Sequence, residues 1–503
     1  MLGRQPLITH IVKRFKKTKA GLFLKPRDKR KEKPTDRALK HFDDFYQSVY
    51  GPRWGSIRAS LLCENKFVAL VNNYGDPEVT REQMELNGAV NLRKVFDLYY
   101  NPNAIADAPE QAKLSSNIDK VLDKFVQEKQ KTEFRSIYQD HVDEEEEKLA
   151  LERIEDPSRV LDVKHVVDYK KSLKQSLDED SEYDFNRMIS AEVGVMGLHE
   201  FIPATKLKGM EDFIPESDHY QYYNTAVDFP LKIELESDFA FPKTLDLYMY
   251  PKGDISRFSR PKNASTKVLS HFLLDAGSIL PPLMLNVQPD DVVLDACAAP
   301  GGKSLILLQS LLPKVVVCND NSLSRMNRIY KLFLQYIPNF KNNWDGERCI
   351  VRNNDIRKIN EFSKYDKILV DVPCSNDRLS VNVNENSLFR GDRVKERLQL
   401  PEYQASILVH CLQLLKPGGS LIYSTCSLSP IQNDGVVNMA LTKAFTDYHI
   451  TTTIKDLTNV LQPFKKLFFF EDSKNLKFGQ LVLPQLPTNC GPMYFCKIQR
   501  NEN

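Results

Sequence analysis

Hydrophobic and polar positions change rhythm three times along this chain. Residues 36–106 carry aromatic and aliphatic positions at helical spacing, as in DRALKHFDDFYQSVYGPRW, and predict a small helical N-terminal region with one buried face. Residues 107–243 are charge-dense and weakly periodic, with DEEEEKLALERIED and SLDEDSEYD, and predict a solvated, partly disordered insertion that carries no chemistry. From 244 to 503 short apolar runs recur, VVLDACA, VVVCND, CIVRNND, KILVDVP and SLIYSTC, separated by helical or loop segments. That alternation predicts an α/β fold with a parallel, doubly wound, Rossmann-like sheet. The later runs KLFFFE, GQLVLPQ and PMYFCKI, broken by Pro, Gly and Asn, predict an antiparallel closing edge, which suits a class I methyltransferase sheet better than a dehydrogenase one.

Composition changes this picture little. The 503 residues hold 69 Lys and Arg against 67 Asp and Glu, so net charge names no partner. No stretch of about 18 uninterrupted apolar residues offers a membrane span, and no membrane partner is expected. The nine cysteines form no CxxC pair, so free thiols are expected and no metal site. Charge matters at the start, where residues 1–35 read as a basic targeting or disordered segment. Its first 27 residues have no acid, and Leu7, Ile8, Ile11, Val12 and Phe15 lie at near-helical spacing. A mitochondrial presequence is the reading, with a nuclear or nucleolar address or a disordered RNA-contacting arm as the alternative, because KRFKKTK and RDKRKEK would serve those too.

Candidate chemistry sits at the strand ends. Asp295 closes the first strand, and Pro300, Gly301, Gly302 and Lys303 form the turn into a helix, where amides can meet a carboxylate and Lys303 can add a charge. Neither GxGxxG nor a P-loop is present, which disfavours phosphate binding. Asp320 ends the second strand, where a carboxylate can accept from both ribose hydroxyls of an unphosphorylated adenosine cofactor, and Asp355 ends the third, beside an adenine edge. Cys374 and Cys426 end the fourth and fifth, two thiols facing one site. Carbon-5 of cytosine is a poor nucleophile, so its methylation needs a thiolate to add at carbon-6. Asp371, three residues before Cys374, is the candidate to protonate or hydrogen-bond ring N3, with a pKa raised by burial. A second cysteine can assist elimination of the first. Cys297, Cys318, Cys349 and Cys411 are expected to be inert core residues.

In order, CAAPGGK, DVPCS and STCS resemble the Sun-domain family of RNA cytosine-5 methyltransferases, which includes the bacterial RsmB enzymes. The resemblance covers residues 250 to 500. It implies S-adenosyl-L-methionine as cofactor, Cys426 as nucleophile, Cys374 as release cysteine, and cofactor contacts at Pro300, Gly301, Gly302, Lys303, Asp320, Arg325, Asp355 and Asp371. SIRASLLCENKFVALVNN, KGDISRF, GDRVKERLQLPEYQ and GPMYFCKIQR further resemble the family's mitochondrial small-subunit rRNA branch. Ile356 departs from that branch, which has glycine there; a backbone amide contact to adenine survives the change. By the same resemblance the partners are rRNA, the mitochondrial ribosomal subunit and an mTERF-family helical-repeat protein.

A target cytosine must be single-stranded or flipped out. No RNA-binding module is legible, only basic stretches such as RGDRVKERLQ and the N-terminal arm. A tRNA cytosine-5 methyltransferase and a non-catalytic ribosome-assembly scaffold remain the alternative readings.

Overall fold

The computed structural model describes residues 32–100 and 230–502, together with a two-residue strand pair, Lys16–Lys17 with Phe23–Leu24. Most of the basic segment and of the charged insertion expected from the sequence lies outside the described residues. The chain divides into two units, Met1–Asn91 with Gly197–Asn503, and Leu92–Met196. In the second, the described residues form one helix, Leu92–Tyr100.

In chain order the strands of the first unit are β1 (Phe67–Val71), β2 (Val90–Asn91), β3 (Lys232–Leu235), β4 (Leu247–Met249), β5 (His271–Asp275), β6 (Val292–Asp295) and β7 (Val315–Asn319). They continue with β8 (Cys349–Arg352), β9 (Tyr365–Asp371), β10 (Leu415–Thr425), β11 (Thr452–Asp456), β12 (Gln480–Val482) and β13 (Met493–Arg500). The large sheet runs β8-β7-β6-β9-β10-β13-β11-β3, with β12 paired to β13. The five strands from β8 to β10 in this order are parallel, and most of their Val, Ile and Leu are buried because helices cover both faces. β13 inserts antiparallel between β10 and β11, which is the closing edge expected from the sequence. KLFFFE contributes only an isolated bridge, Phe470 with Val482, while β11, an unforeseen strand, lies between β13 and the edge strand β3.

Two features depart from the sequence reading at the level of elements. β3, drawn from residues read as insertion, pairs parallel with β11. A small antiparallel sheet, β2-β4-β1-β5, joins strands from both sides of the insertion, so the N-terminal region is not purely helical. Helical periodicity dominated FVALV because its neighbours are amphipathic; β1 is a strand because it is buried at four successive positions.

The helices used below are α1 (Pro34–Tyr50), α2 (Trp54–Leu62), α3 (Gly302–Gln309), α4 (Leu323–Tyr336), α5 (Asp377–Asn382), α6 (Leu400–Leu414) and α7 (Val436–Tyr448). In α1, Ala38, Phe42, Phe45, Tyr46 and Tyr50 recur at helical spacing and are all buried. They pack with Trp54 and with Phe389, whose ring meets Phe42 edge-on at 5.1 Å. α6 and α7 bury Leu408, Leu412, Val437 and Leu441 in the core that holds β9 and β10 rigid. Among the described residues no helix is long and apolar enough to cross a membrane.

Candidate functional site

Strand order reverses between β6 and β9, because the chain leaves β6 toward β7 and β8 and returns to place β9 on its other side. Crevices open at the carboxyl ends of strands at such a point. A cavity of about 1250 Å³ lies there, and Pro300, Lys303, Arg325, Asp371, Cys374 and Cys426 all line it. These six are the candidate site residues that the fold brings to one surface. Gly301, Gly302, Asp320, Asp355 and Ile356 do not line it.

The turn after β6 is built tightly. Gly301 has φ +107°, and a Cβ there would meet Leu332 Cδ2 at 3.0 Å, so glycine is required for both backbone and space. Gly302 opens α3 against the Phe272 ring. Asp295 is buried and accepts from Ser304 Oγ at 2.6 Å, while its Oδ1 has no partner. Burial pushes its carboxyl up to about 7, against the opposing pull of Ser304. Asp320 is buried too; its carboxylate accepts from Ala299 N at 3.4 Å and Ser322 N at 3.0 Å and pairs with Arg325 at 3.4 Å. Arg325 also donates to Ala299 O at 3.0 Å, so it ties the two strand ends together. Asp355 caps the turn that follows it and binds Arg357, which holds its carboxyl low, and Arg357 lies 4.7 Å over the Tyr403 ring. Ile356 is buried with its side chain in the core.

At the β9 and β10 ends, Cys374 Sγ and Cys426 Sγ are 3.0 Å apart. The hydrogen bond shared with Cys374 and then burial push the Cys426 thiol up, and Lys303 pulls the other way. Asp371 accepts from Lys303 Nζ at 2.7 Å through one oxygen and from Ser424 Oγ at 2.9 Å through the other. Burial draws Lys303 down, but the Asp371 charge more than reverses this and holds its ammonium above the usual lysine range. The Asp371 side chain is 28% exposed, so the deep burial expected from the sequence is absent. With two donors on it, Asp371 presents itself to the cavity as an acceptor. It can accept a hydrogen bond from an N3 that becomes protonated. Cys318, Cys349 and Cys411 are buried, and Cys297, partly so, has its thiol pushed far up by desolvation; all four behave as core thiols.

The residues that hold the two cysteine loops were not foreseen. Asp377, fully buried at the start of α5, accepts from Tyr46 OH at 2.6 Å, Leu428 N at 2.7 Å and Ser375 Oγ at 2.5 Å, with Ser427 Oγ at 3.3 Å. It therefore joins the loop of Cys374, the loop of Cys426 and α1. Gln432 accepts from Ser375 N at 3.0 Å, and Gln404 donates to Pro373 O at 2.8 Å. Tyr50 OH donates to Leu428 O at 2.8 Å. Asp377 and Ser424 lie within three residues of the cysteines and were discoverable by proximity. Tyr46, 331 positions from Asp377, left no signal.

Residues 282–475 match the family described as 16S rRNA methyltransferase RsmB/F. The chain is 31% identical over 477 residues to the 5-cytosine rRNA methyltransferase nsun-4 of Caenorhabditis elegans, covering 93% of this chain and 92% of that one. It belongs to the RsmB/F family of RNA cytosine-5 methyltransferases. Within that family it is 42% identical over 266 residues to the 5-cytosine rRNA methyltransferase NSUN4 of Bos taurus, over 52% of this chain and 68% of that one. The mitochondrial tRNA (cytosine(34)-C(5))-methyltransferase of Mus musculus is 33% identical over 262 residues, 52% of this chain and 72% of that one.

As an RsmB/F member, the chain is a methyltransferase that uses S-adenosyl-L-methionine. The site fits that cofactor. The cavity wall of Pro300, Lys303, Arg325 and Tyr403 joins polar and apolar groups at the switch point, the adjoining turn at Gly301 excludes a side chain, and Asp295 at the end of β6 keeps an orphaned buried oxygen.

Proposed function

We propose that this RsmB/F enzyme methylates carbon-5 of a cytosine in mitochondrial small-subunit rRNA through a covalent adduct with Cys426. The observation that carries this reading is the pair of thiols 3.0 Å apart, beside an Asp371 fixed by Lys303 and Ser424. Cofactor contacts fall to Pro300, Lys303, Arg325 and Asp371 from the cavity wall, to Gly301 and Gly302 from the turn between them, and to Asp320, Asp355 and the Ile356 amide from the neighbouring strand ends. When bound, S-adenosyl-L-methionine supplies an electrophilic methyl group.

The chain's own residues do the rest. The Cys426 thiol adds across the ring, its sulfur bonding to carbon-6 and its proton ending on N3, which leaves an enamine nucleophilic at carbon-5. Asp371 accepts a hydrogen bond from N3 as that nitrogen gains a proton, while Lys303 keeps the carboxylate in place. After carbon-5 takes the methyl group it loses its hydrogen as a proton to solvent, the carbon–sulfur bond breaks to regenerate the Cys426 thiolate, and the proton on N3 returns to that sulfur. Cys374, in contact with that sulfur, assists this release. Burial and the contact with Cys374 disfavour the free Cys426 thiolate, and Lys303 favours it.

Mitochondrial rRNA is supported by the rRNA names of the worm and bovine relatives and by the basic, acid-free start of the chain. Location in the matrix follows from that reading, with the ribosomal subunit and an mTERF-type helical-repeat protein as partners. The murine relative that acts on mitochondrial tRNA makes tRNA the second reading. The deciding experiment offers labelled S-adenosyl-L-methionine with mitochondrial small-subunit rRNA or mitochondrial tRNA and identifies the methylated nucleoside. 5-Methylcytidine in rRNA alone supports the proposal. Label in tRNA alone overturns the substrate, and label in neither, with cofactor bound, favours an assembly scaffold.

A further inference from the structure

The family assignment leaves open how the chain grips RNA. The stretch nominated from sequence, residues 390–397, is largely self-neutralised: Arg390 pairs with Asp392 at 3.0 Å and Arg393 with Glu396 at 2.6 Å. Arg397 is packed 4.8 Å over the Phe389 ring. Cations already paired or stacked release few counterions when a phosphate approaches.

Residues 252–267, KGDISRFSRPKNASTK, contrast with it. They hold five cations against Asp254 alone. Lys252, Arg260, Lys262 and Lys267 are exposed, and among the described residues none has a carboxylate within ion-pair distance; Arg257 pairs with Glu64.

The loop is also held in place by its backbone. His271 Nε2 meets Ser259 O at 3.0 Å, Ser270 N donates to Lys262 O at 2.8 Å, Ser265 N donates to Asp76 at 2.9 Å, and Thr266 Oγ1 donates to Tyr74 O at 2.6 Å. Such anchoring lowers the ordering cost of binding.

Its position ties it to the site. Glu64, the partner of Arg257, lines the catalytic cavity, as do Phe67 and Asp275. β1 and β5 pair with Phe67 opposite Asp275 and Val71 opposite His271, so the loop feeding His271 extends from the cavity rim along this sheet. Four residue steps of strand make that length roughly 14 Å.

We propose that the loop 252–267 is a phosphate-binding strip that leads RNA into the cavity, with Lys252, Arg260, Lys262 and Lys267 as its contacts. The strip rests on the RNA methyltransferase reading of the adjoining cavity. It reads no base, since exposed lysines and arginines on a fixed loop recognise charge. Ile255, 91% exposed between Lys252 and Arg257, offers an apolar surface to an unstacked base.

The test uses the full chain and a mixed-sequence single-stranded RNA oligonucleotide. One variant changes Lys252, Arg260, Lys262 and Lys267 to Gln, and a second changes Arg390, Arg393 and Lys395 to Gln. Affinity is measured from 50 to 300 mM salt, alongside cofactor binding and methylation. For the loop variant, affinity at low salt falls by roughly 10-fold or more, and the log-log salt slope falls by about 3, from about 0.7 per phosphate contact. Cofactor binding stays at the wild-type value, and the second variant changes the slope by less than half as much. An unchanged slope in the loop variant, or a larger change in the second, overturns the strip. Loss of affinity for an acidic polypeptide but not for RNA also overturns it. Wild type that binds RNA through the loop yet never methylates it would sink the catalytic reading and leave the strip standing.

Discussion

Replacing Tyr46 by phenylalanine removes one hydroxyl and keeps the ring in its aromatic cluster, 5.1 Å from Phe42 and 5.3 Å from Trp54. That hydroxyl donates at 2.6 Å to Asp377, which is fully buried and shares its remaining capacity among Leu428 N, Ser375 and Ser427. Burial, reinforced by the Asp377 charge, pushes the Tyr46 pKa well up, so it is a permanent donor. A hydrogen bond to a charged group contributes ~1.5–3 kcal/mol, and losing one of several donors to a buried carboxylate falls in that range. With a urea dependence of ~2–3 kcal/mol per molar, the unfolding midpoint moves down by roughly 0.5–1.5 M. Function responds as well, because the same carboxylate fixes both cysteine loops: the rate of RNA adduct formation falls by about 10-fold or more, consistent with slight misplacement of reacting groups. Affinity for S-adenosyl-L-methionine does not change, since Tyr46 touches nothing in the β6 turn. Tyr46→Phe indistinguishable from wild type in both urea midpoint and adduct rate would refute this role for Asp377.

Asp295→Asn tests the buried carboxyl. Its folded pKa, about 7, lies above the ordinary 3.8, so its contribution to stability is full below that value and is lost as pH rises through 7. At 1.36 kcal/mol per unit, the stability of wild type relative to Asp295→Asn falls by about 3 kcal/mol between pH 4 and pH 7 in urea unfolding, and a pH-independent difference contradicts the assignment. Gly301→Ala places a side chain at φ +107° against Leu332 and costs ~1–3 kcal/mol. Calorimetry should show weakened cofactor binding as well, and unchanged stability and affinity would remove the turn from the cofactor site.

How much of this was legible in the sequence divides along physical lines. Apolar runs such as KILVD and SLIYST read as strands because strands buried on both faces need continuous apolar residues, and their ends placed Asp371, Cys374 and Cys426 on one cavity wall. Local rules fail where pairing is remote. β1 pairs with β5 across roughly two hundred residues, and no periodicity in FVALV names its partner. β3 has exposed Ile233 and Leu235 on an edge and looks like the charged sequence before it. Asp371 was expected to be buried because an acid that protonates N3 needs a raised pKa; strand ends at a switch point face the crevice, and the Lys303 ion pair stands where burial was expected. The basic run at 390–397 looked like an RNA surface because a sequence shows its cations and not their pairing.

The covalent role of Cys426 is tested most directly by incubating wild type, Cys426→Ala and Cys374→Ala with labelled S-adenosyl-L-methionine and small-subunit rRNA, then separating covalent RNA–protein species on denaturing gels. The account predicts methylation by wild type, neither methylation nor adduct with Cys426→Ala, and a trapped adduct that accumulates with Cys374→Ala. Methylation by Cys426→Ala, or an adduct that forms without it, would contradict the assignment of Cys426 as nucleophile.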